Sequence, residues 1–406
     1  MNHVNRYDVV IIGGGMVGSM LAALLAQHSE LKVAVLEQHS PEPFPAGSSP
    51  AYDIRVSALS IATQNMLKSV GAWQGIVDRR ACVYRQMLVW DGEESGSTHF
   101  RADDIGKEAL GHIVENRVLQ LALLECLHQN DNVDVLCPAH VQNFQPSGDQ
   151  MTLDVSDGST ITTRLLVGAD GARSSVRQLA GIEMPQNAYE HHALVATVTT
   201  DSPQQDITWQ RFMPTGPQAF LPLCGSQASM VWYHNVDEVG RLKSLDDQAF
   251  MSEMMAAFPE RLGNITSVSN RGSFPIFKAH ASSYIGERLA LVGDAAHTVH
   301  PLAGQGVNLG MLDAASLAQL VCDASDAGAD FGSRRQLRRY ERWRRADNAI
   351  MISILDGFYH AFKPQPAPVR KLRSAAMSIA DNAGPMKRLV MQYAMGTSGD
   401  LPRFAR

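Results

Sequence analysis

The chain has 406 residues and a mass of 44.2 kDa, more than one comfortable core holds, so two domains or a domain with a large insertion are expected. With 45% hydrophobic and 19% charged residues it is neither disordered nor a small module, and 35 basic against 41 acidic residues argue against a general nucleic-acid binder. The balance is uneven: residues 334–406 carry 15 Lys/Arg and 5 Asp/Glu, net +10, which leaves −16 for residues 1–333. Cys82, Cys126, Cys137, Cys224 and Cys322 are odd in number and form no CxxC pair, so neither a disulfide framework nor a zinc site is expected and a reducing cytosol fits. The first residues lack the basic start and cleavage site of a secretory signal, and no run of about 18 apolar residues is present to span a bilayer.

In chain order, residues 7–12 form a β-branched apolar run, 16–28 have helical spacing and 32–36 read as a strand, which is a βαβ start to a parallel sheet. Between strand and helix stands Gly13-Gly14-Gly15-Met16-Val17-Gly18, with Glu37 closing the second strand. In this setting Gly13 permits a tight turn, Gly15 lets a pyrophosphate approach the backbone, Gly18 lets helix and strand pack, and Glu37 would accept from ribose hydroxyls. The alternative is a purely structural glycine turn.

Residues 57–70 and 119–130 read as helices, 133–161 as a hairpin turning at Asp157-Gly158, and 164–167 as a strand ending in Gly168-Ala169-Asp170-Gly171-Ala172-Arg173-Ser174. Between 193 and 236 long aromatic and β-branched strands predict a second sheet. A buried strand at 290–292 then runs into Gly293-Asp294-Ala295-Ala296-His297, and a proline- and glycine-bearing loop at 300–306 leads to a helix over 307–322. Helical spacing dominates 335–362 and 369–395, broken at Pro364, Pro366 and Pro368. The expected division is a nucleotide-binding unit over 1–185 that resumes at 278–335, an inserted sheet over 186–277, and helices over 336–406.

Three strand ends thus carry glycine with an acid, at 13–18, 168–177 and 293–308. In order and spacing they resemble the fingerprints of the single-component flavoprotein aromatic hydroxylases with the para-hydroxybenzoate hydroxylase fold. The resemblance implies an α/β chain: a Rossmann-like FAD-binding domain, an inserted β-sheet substrate domain and C-terminal helices. It implies FAD at Gly13, Gly15, Gly18, Glu37, Asp170, Gly171, Gly293 and Asp294, with Pro301, Gly304, Gln305, Gly306, Val307 and Asn308 along the isoalloxazine. The N–H groups opening the helix after Gly304 and Gly306 would face the flavin edge and position it for catalysis. NAD(P)H would visit as a transient reductant, since no second GxGxxG follows residue 18, and O2 would react through a C4a-hydroperoxyflavin.

A narrower resemblance, to the ubiquinone-biosynthesis hydroxylases, rests on Leu110-Gly111-His112-Ile113-Val114-Glu115-Asn116, Ala219-Phe220-Leu221-Pro222-Leu223, the 293–310 segment and Asp400-Leu401-Pro402. It implies ring hydroxylation of a polyprenylated phenol or quinol. Residues 191–197 look like the polyprenyl-phenol branch, 209–223 and 345–351 like the demethoxy-quinol branch. Other readings are a soluble phenol or salicylate-type hydroxylase, told apart by an apolar tunnel for a tail, and a flavin-binding scaffold.

Arg55 matches a flavin-region position or is an exposed loop arginine; Asn116 contacts the ribityl chain or phosphate or caps a helix; Arg117 reads as surface. Trp209, Phe212, Phe220 and Trp232 either line a ring-binding pocket or pack a core. His192, Tyr233 and His234 are the candidates to assist phenol deprotonation, and the His297/His300 pair reads as structural rather than as a metal site. The arginines from 334 to 345 either dock on an anionic inner leaflet or a partner of the same pathway, or are solvated. The location expected is cytoplasmic or peripheral on the inner face of the plasma membrane, without nucleic acid; a homo-oligomer is compatible with this reading. Residues 70–110 and 237–275 match no motif.

Overall fold

The computed structural model describes residues 4–45, 51–203, 205–259 and 263–406. Its helices are α1 (Met16–His28), α2 (Ile61–Ser69), α3 (Ala72–Arg79), α4 (Asn116–His128), α5 (Ser175–Leu179), α6 (Val236–Ser244), α7 (Asp247–Ala257), α8 (Gln305–Asp326), α9 (Arg334–Ala361), α10 (Ala367–Asn382) and α11 (Gly384–Ala394).

The first sheet runs Ile285–Gly286, Leu289–Leu291, Thr160–Gly168, Val4–Ile12, Val33–Leu36, Val133–Leu136, with the hairpin partners Val141–Ser147 and Gln150–Val155 branching from Thr160–Gly168. Its central strands pair in parallel. Parallel strands are covered on both faces, which is why Val9, Val10, Ile11 and Ile12 form an unbroken apolar run, none more than 4% exposed. Helices α1, α4 and α8 supply much of that cover.

The second sheet runs His297–Thr298, Ile265–His280, Gln186–Thr200, Gln227–Asn235, Gly216–Pro222, Ile207–Met213, Gln86–Asp91, Ser97–Arg101. The division drawn at 186–277 therefore omits two strands from residues 86–101. They lie about a hundred residues earlier, and Gln86–Asp91 joins in parallel to Ile207–Met213, a pairing that local periodicity cannot register. Helices α6 and α7 cover one face through Val239, Leu242, Phe250 and Met254. A third sheet of Val56–Ser60, Gly111–Glu115 and Cys82–Tyr84 stands between the two.

The helix expected over 57–70 begins at Ile61 instead. Residues 56–60 pair with Gly111–Glu115, and the Ser60 hydroxyl accepts from the Thr63 N–H at 3.3 Å, capping α2 where the strand ends. The final residues return to the first unit. Phe404 stacks on His28 with centroids 4.5 Å apart, Ala405 is buried, and the Arg403 N–H donates to Gln319 at 2.7 Å. Among the described residues no helix is long and apolar enough to cross a membrane.

Candidate active site

The glycine loop shows why each glycine is needed. Gly13 has φ +106°, and a Cβ on Gly18 would stand 2.0 Å from the Gly13 carbonyl oxygen, so the turn closes only with glycine at both positions. Gly15 differs: nothing lies within 4 Å of where its Cβ would be. It precedes α1, whose N-terminus has no side-chain cap. Free N–H groups and the positive end of the helix dipole therefore face open space, as an anionic phosphate requires. Glu37 accepts from the Gly14 N–H at 2.7 Å and from the His39 N–H at 3.0 Å, which sets its carboxylate at the loop. Two residues that sequence reading missed secure the Gly14 carbonyl: Ser19 at 3.1 Å and Gln120 at 2.8 Å.

The second strand end is differently built. The Asp170 carboxylate accepts from the Ser174 hydroxyl at 2.5 Å, the Ser175 N–H at 2.7 Å and hydroxyl at 2.9 Å, and the Val176 N–H at 3.2 Å. These four bonds use the carboxylate to cap α5, so what this segment offers a ligand is Gly171, with φ +79° and open space around it. At the third strand end Gly293 (φ +59°) turns the chain against Val17. Asp294 is exposed there; crowding by surrounding protein nevertheless raises its pKa, opposed by the charges of His297 and Arg55. Arg55, itself exposed, thus shares the cleft with Asp294.

That turn is held from behind by a buried polar network. Asp313, fully buried, accepts from the Gly293 N–H at 3.1 Å, His297 Nε2 at 2.5 Å, Arg344 Nε at 2.8 Å and Asn348 at 3.0 Å. Burial pushes its carboxyl upward, but His297 and Arg344 outweigh that and hold it down at about 2. Arg344 is 2% exposed, so one arginine of the stretch read as solvated is an internal anchor. His297 is tied to a carboxylate, and His300 stands among Tyr189, Tyr233 and Tyr359.

Pro301 is exposed at the head of a 3₁₀ turn, Leu302–Gly304. Gly304 (φ +61°) then starts α8 without a side-chain cap, and little lies near Gly306, its closest neighbour being Val299 Cγ2 at 3.9 Å. Gln305, Gly306 and Val307 follow, half-buried. Gly310 and Gly293 both pack on Val17, so α1 and α8 pass closely there. Asn308 is committed elsewhere: its Oδ1 accepts from the Ser60 N–H at 2.9 Å and the Thr63 hydroxyl at 2.8 Å, and its amide donates to the carbonyls of Ala58 at 2.8 Å and Gly304 at 3.0 Å. Its side chain thus fastens α8 to strand Val56–Ser60. Asn116 Oδ1 accepts from Ser57 at 2.7 Å. Arg117, read as surface, is ion-paired to Asp53 and Glu42 and holds the 51–55 loop beside Arg55.

Ala58, Ser60, Tyr84, Met87, Phe100, Leu110, Gln305, Val390, Met391, Ala394 and Met395 enclose a pocket of about 540 Å³, its mouth included, against the start of α8. Its wall is almost all carbon; the hydroxyls of Ser60 and Tyr84 and the Gln305 amide are the polar side-chain groups. Of the four aromatic candidates none lines it. Trp209, Phe220 and Trp232 pack with Phe250, Met254 and Phe258 beneath α6 and α7, because alternate residues of those strands face that core. Phe212, on the other face, stacks on Phe362 at 4.0 Å. Their role as substrate contacts gives way to packing. His192 and His234 pair across neighbouring strands, and Tyr233 is buried.

Comparison with known proteins decides the class. The FAD binding domain family matches residues 6–349. The chain belongs to that family. It is 40% identical over 389 residues to the 3-demethoxyubiquinol 3-hydroxylase of Escherichia coli (strain K12), covering 96% of this chain and 98% of that one. The ubiquinone hydroxylase UbiL of Rhodospirillum rubrum is 37% identical, over 96% of this chain and 90% of its own. Two solved structures share the fold: PqsL, a probable FAD-dependent monooxygenase of Pseudomonas aeruginosa (TM-score 0.77, 23% identity, 92% of this chain and 99% of that chain), and p-nitrophenol 4-monooxygenase PnpA of Pseudomonas putida DLL-E4 (TM-score 0.77, 19% identity, 98% and 100%). The protein is thus an FAD-dependent monooxygenase of the para-hydroxybenzoate-hydroxylase-like fold. The residues present fit FAD: the open space at Gly15 and the uncapped α1 would take a pyrophosphate, the Glu37 carboxylate would accept from ribose hydroxyls, and the uncapped α8 suits an electron-rich ring edge.

Proposed function

We propose that this chain hydroxylates the ring of a polyprenylated phenol or quinol in ubiquinone biosynthesis, using O2 and NAD(P)H, and that it meets this lipid at the inner face of the plasma membrane. The observation that carries the reading is the apolar pocket beside the start of α8. A soluble phenol or salicylate would need a polar or charged partner for its own polar groups; a prenylated ring needs carbon and one or two hydrogen bonds.

Bound FAD supplies the activation of oxygen. The chain supplies placement and dryness. Gly13, Gly15, Gly18, Glu37 and Gly171 would hold the nucleotide half of FAD, and Gly293, Asp294, Arg55 and Asn116 the ribityl end. The N–H groups after Gly304 stabilise negative charge at the ring edge without a side chain intervening. Burial raises the Tyr84 pKa above its ordinary value, so it remains a hydroxyl that can donate to a ring oxygen of the substrate, and Met87, Phe100, Leu110 and Met391 exclude water. A base in the pocket is not required for this division of labour: orientation of the ring is the protein's main contribution.

The test is quinone profiling by mass spectrometry in hosts deleted for each ring-hydroxylation step, with this gene supplied in trans. The name of the 40% identical relative makes the demethoxyquinol step the first to examine. Restored ubiquinone in one strain is expected and names the position. FAD-loaded protein that rescues no strain would refute the pathway and redirect attention to soluble phenols.

A further inference from the structure

Among the described residues, nine of the fourteen exposed large apolar side chains fall on the last three helices: Ile350, Ile354 and Phe358 of α9, Val369, Leu372 and Ile379 of α10, and Leu389, Val390 and Tyr393 of α11. On α10 the three recur at i, i+3 and i+10, a stripe along one side of the helix. Leu372 is 72% exposed, Ile379 68% and Leu389 60%, far more than a packing surface leaves bare.

The opposite side of this helical hairpin is firmly seated. Thr98 donates to the Met377 carbonyl at 3.0 Å, the His99 N–H to Asp381 at 2.9 Å, Arg373 pairs with Asp91 at 2.7 Å and Lys387 with Asp381 at 2.9 Å. Arg370 reaches Glu94 at 3.4 Å. Of the hairpin's five basic residues, Arg370 and Arg373 are thereby spent on the carboxylates of residues 91–94 and Lys387 on Asp381 within the hairpin, while Lys371 and Arg388 stay exposed among the apolar side chains. An apolar stripe with positive charge beside it matches the chemistry of an anionic bilayer surface.

One further fact ties the stripe to the site. Val390 is 53% exposed and also lines the pocket, as do Met391 and Ala394 of the same helix and Met395 at its end. Helix α11 is at once outer surface and pocket wall.

We infer that α10 and α11 form a docking face for an anionic lipid bilayer, and that a prenylated substrate passes from the membrane past α11 into the pocket without crossing water. This rests on the lipid-substrate reading above and moves the membrane contact from the arginines of α9, one of which is buried, to the hairpin that follows. The occupant is a bilayer rather than a partner protein because the surface is continuous with the opening through which a water-insoluble substrate would enter.

Flotation of the FAD-loaded protein with vesicles of phosphatidylglycerol mixed with phosphatidylcholine tests it. Wild type is expected to float with them, and Leu372→Ser/Ile379→Ser/Leu389→Ser to lose about tenfold in partitioning, about 1.4 kcal/mol, with flavin content and melting temperature unchanged. Lys371→Ser/Arg388→Ser should weaken binding to the anionic vesicles alone and leave binding to pure phosphatidylcholine as in wild type. Wild type that stays in solution, or a triple variant that floats like wild type, overturns the proposal. A wild-type dimer that the triple variant dissolves, with no vesicle binding, would assign the face to a second copy instead. Turnover of a short-chain, water-soluble quinol in lipid-free buffer separates the two readings: if it persists while flotation fails, docking alone is wrong, and if it is absent, the hydroxylase assignment is at fault.

Discussion

At the scale of single residues, the glycines divide into two kinds that the sequence writes with the same letter. Gly18 is glycine because protein occupies the space beside it; Gly15 is glycine because nothing does. Gly15→Val should therefore leave the apoprotein's melting temperature close to wild type yet weaken FAD binding by more than tenfold, or about 1.4 kcal/mol, measured by flavin fluorescence titration. Gly18→Ala should lower the melting temperature before any FAD is added. The GxGxxG pattern marked both positions, but not which glycine faces protein and which faces open space.

His300 makes a second prediction at this scale. Burial, with His191 adding to it, pushes its pKa down to about 4, against about 6.5 in an unfolded chain. Since the folded value is the lower one, the unfolded chain takes up the proton first as pH falls. Stability is complete above about pH 6.5, declines on the way down to pH 4, and the loss amounts to roughly 3 kcal/mol at this 1% exposed ring. Urea unfolding at stepped pH should show that decline, and His300→Leu should flatten it even if the variant starts less stable. An equally steep decline in the variant would place its origin elsewhere, with His112 and His280, also lowered to about 4 by burial, the next to examine.

Among the elements, α9 illustrates what periodicity conceals. Its arginine-rich first half reads as a solvated face, and most of those residues are exposed. Arg344 falls on the buried side, and its partner Asp313 lies 31 residues earlier on another helix, a pairing that appears only once α8 and α9 are packed. Removing Arg344 while leaving the buried carboxylate should cost about 3–5 kcal/mol. Arg344→Met is thus expected to be far less stable than the double variant Arg344→Met/Asp313→Leu, measured by chemical denaturation, since the latter removes both charges. The glycine-and-acid strand ends were legible because each is contiguous in the chain. The 86–101 strands and Tyr84 were not, because their meaning depends on neighbours far away in sequence.

For the molecule as a whole, the pocket is composite. Its wall takes residues from the third sheet (Ala58, Ser60, Tyr84) with Leu110 just before it, the second (Met87, Phe100), the start of α8 (Gln305), and α11 (Val390, Met391, Ala394) with Met395 just after it. Filling it should separate cofactor from substrate. Ala394→Trp is expected to retain FAD and lower kcat/KM for a prenylated quinol by more than tenfold, about 1.4 kcal/mol, while a small phenol, if accepted at all, is affected less. Equal losses for both would mean that the pocket does not receive the tail.

The closure of the chain's last residues on its first unit carries a consequence for biosynthesis. Strand Val4–Ile12 and α1 leave the ribosome early, but Gly293, which packs on Val17, and Phe404, which stacks on His28, follow some 280 and 380 residues later. At about 5–20 residues per second, the nascent glycine loop waits tens of seconds for the far side of its own cradle. A C-terminal fusion or a short truncation would therefore be felt at the nucleotide end, and cofactor capture belongs among the final events in the maturation of the polypeptide.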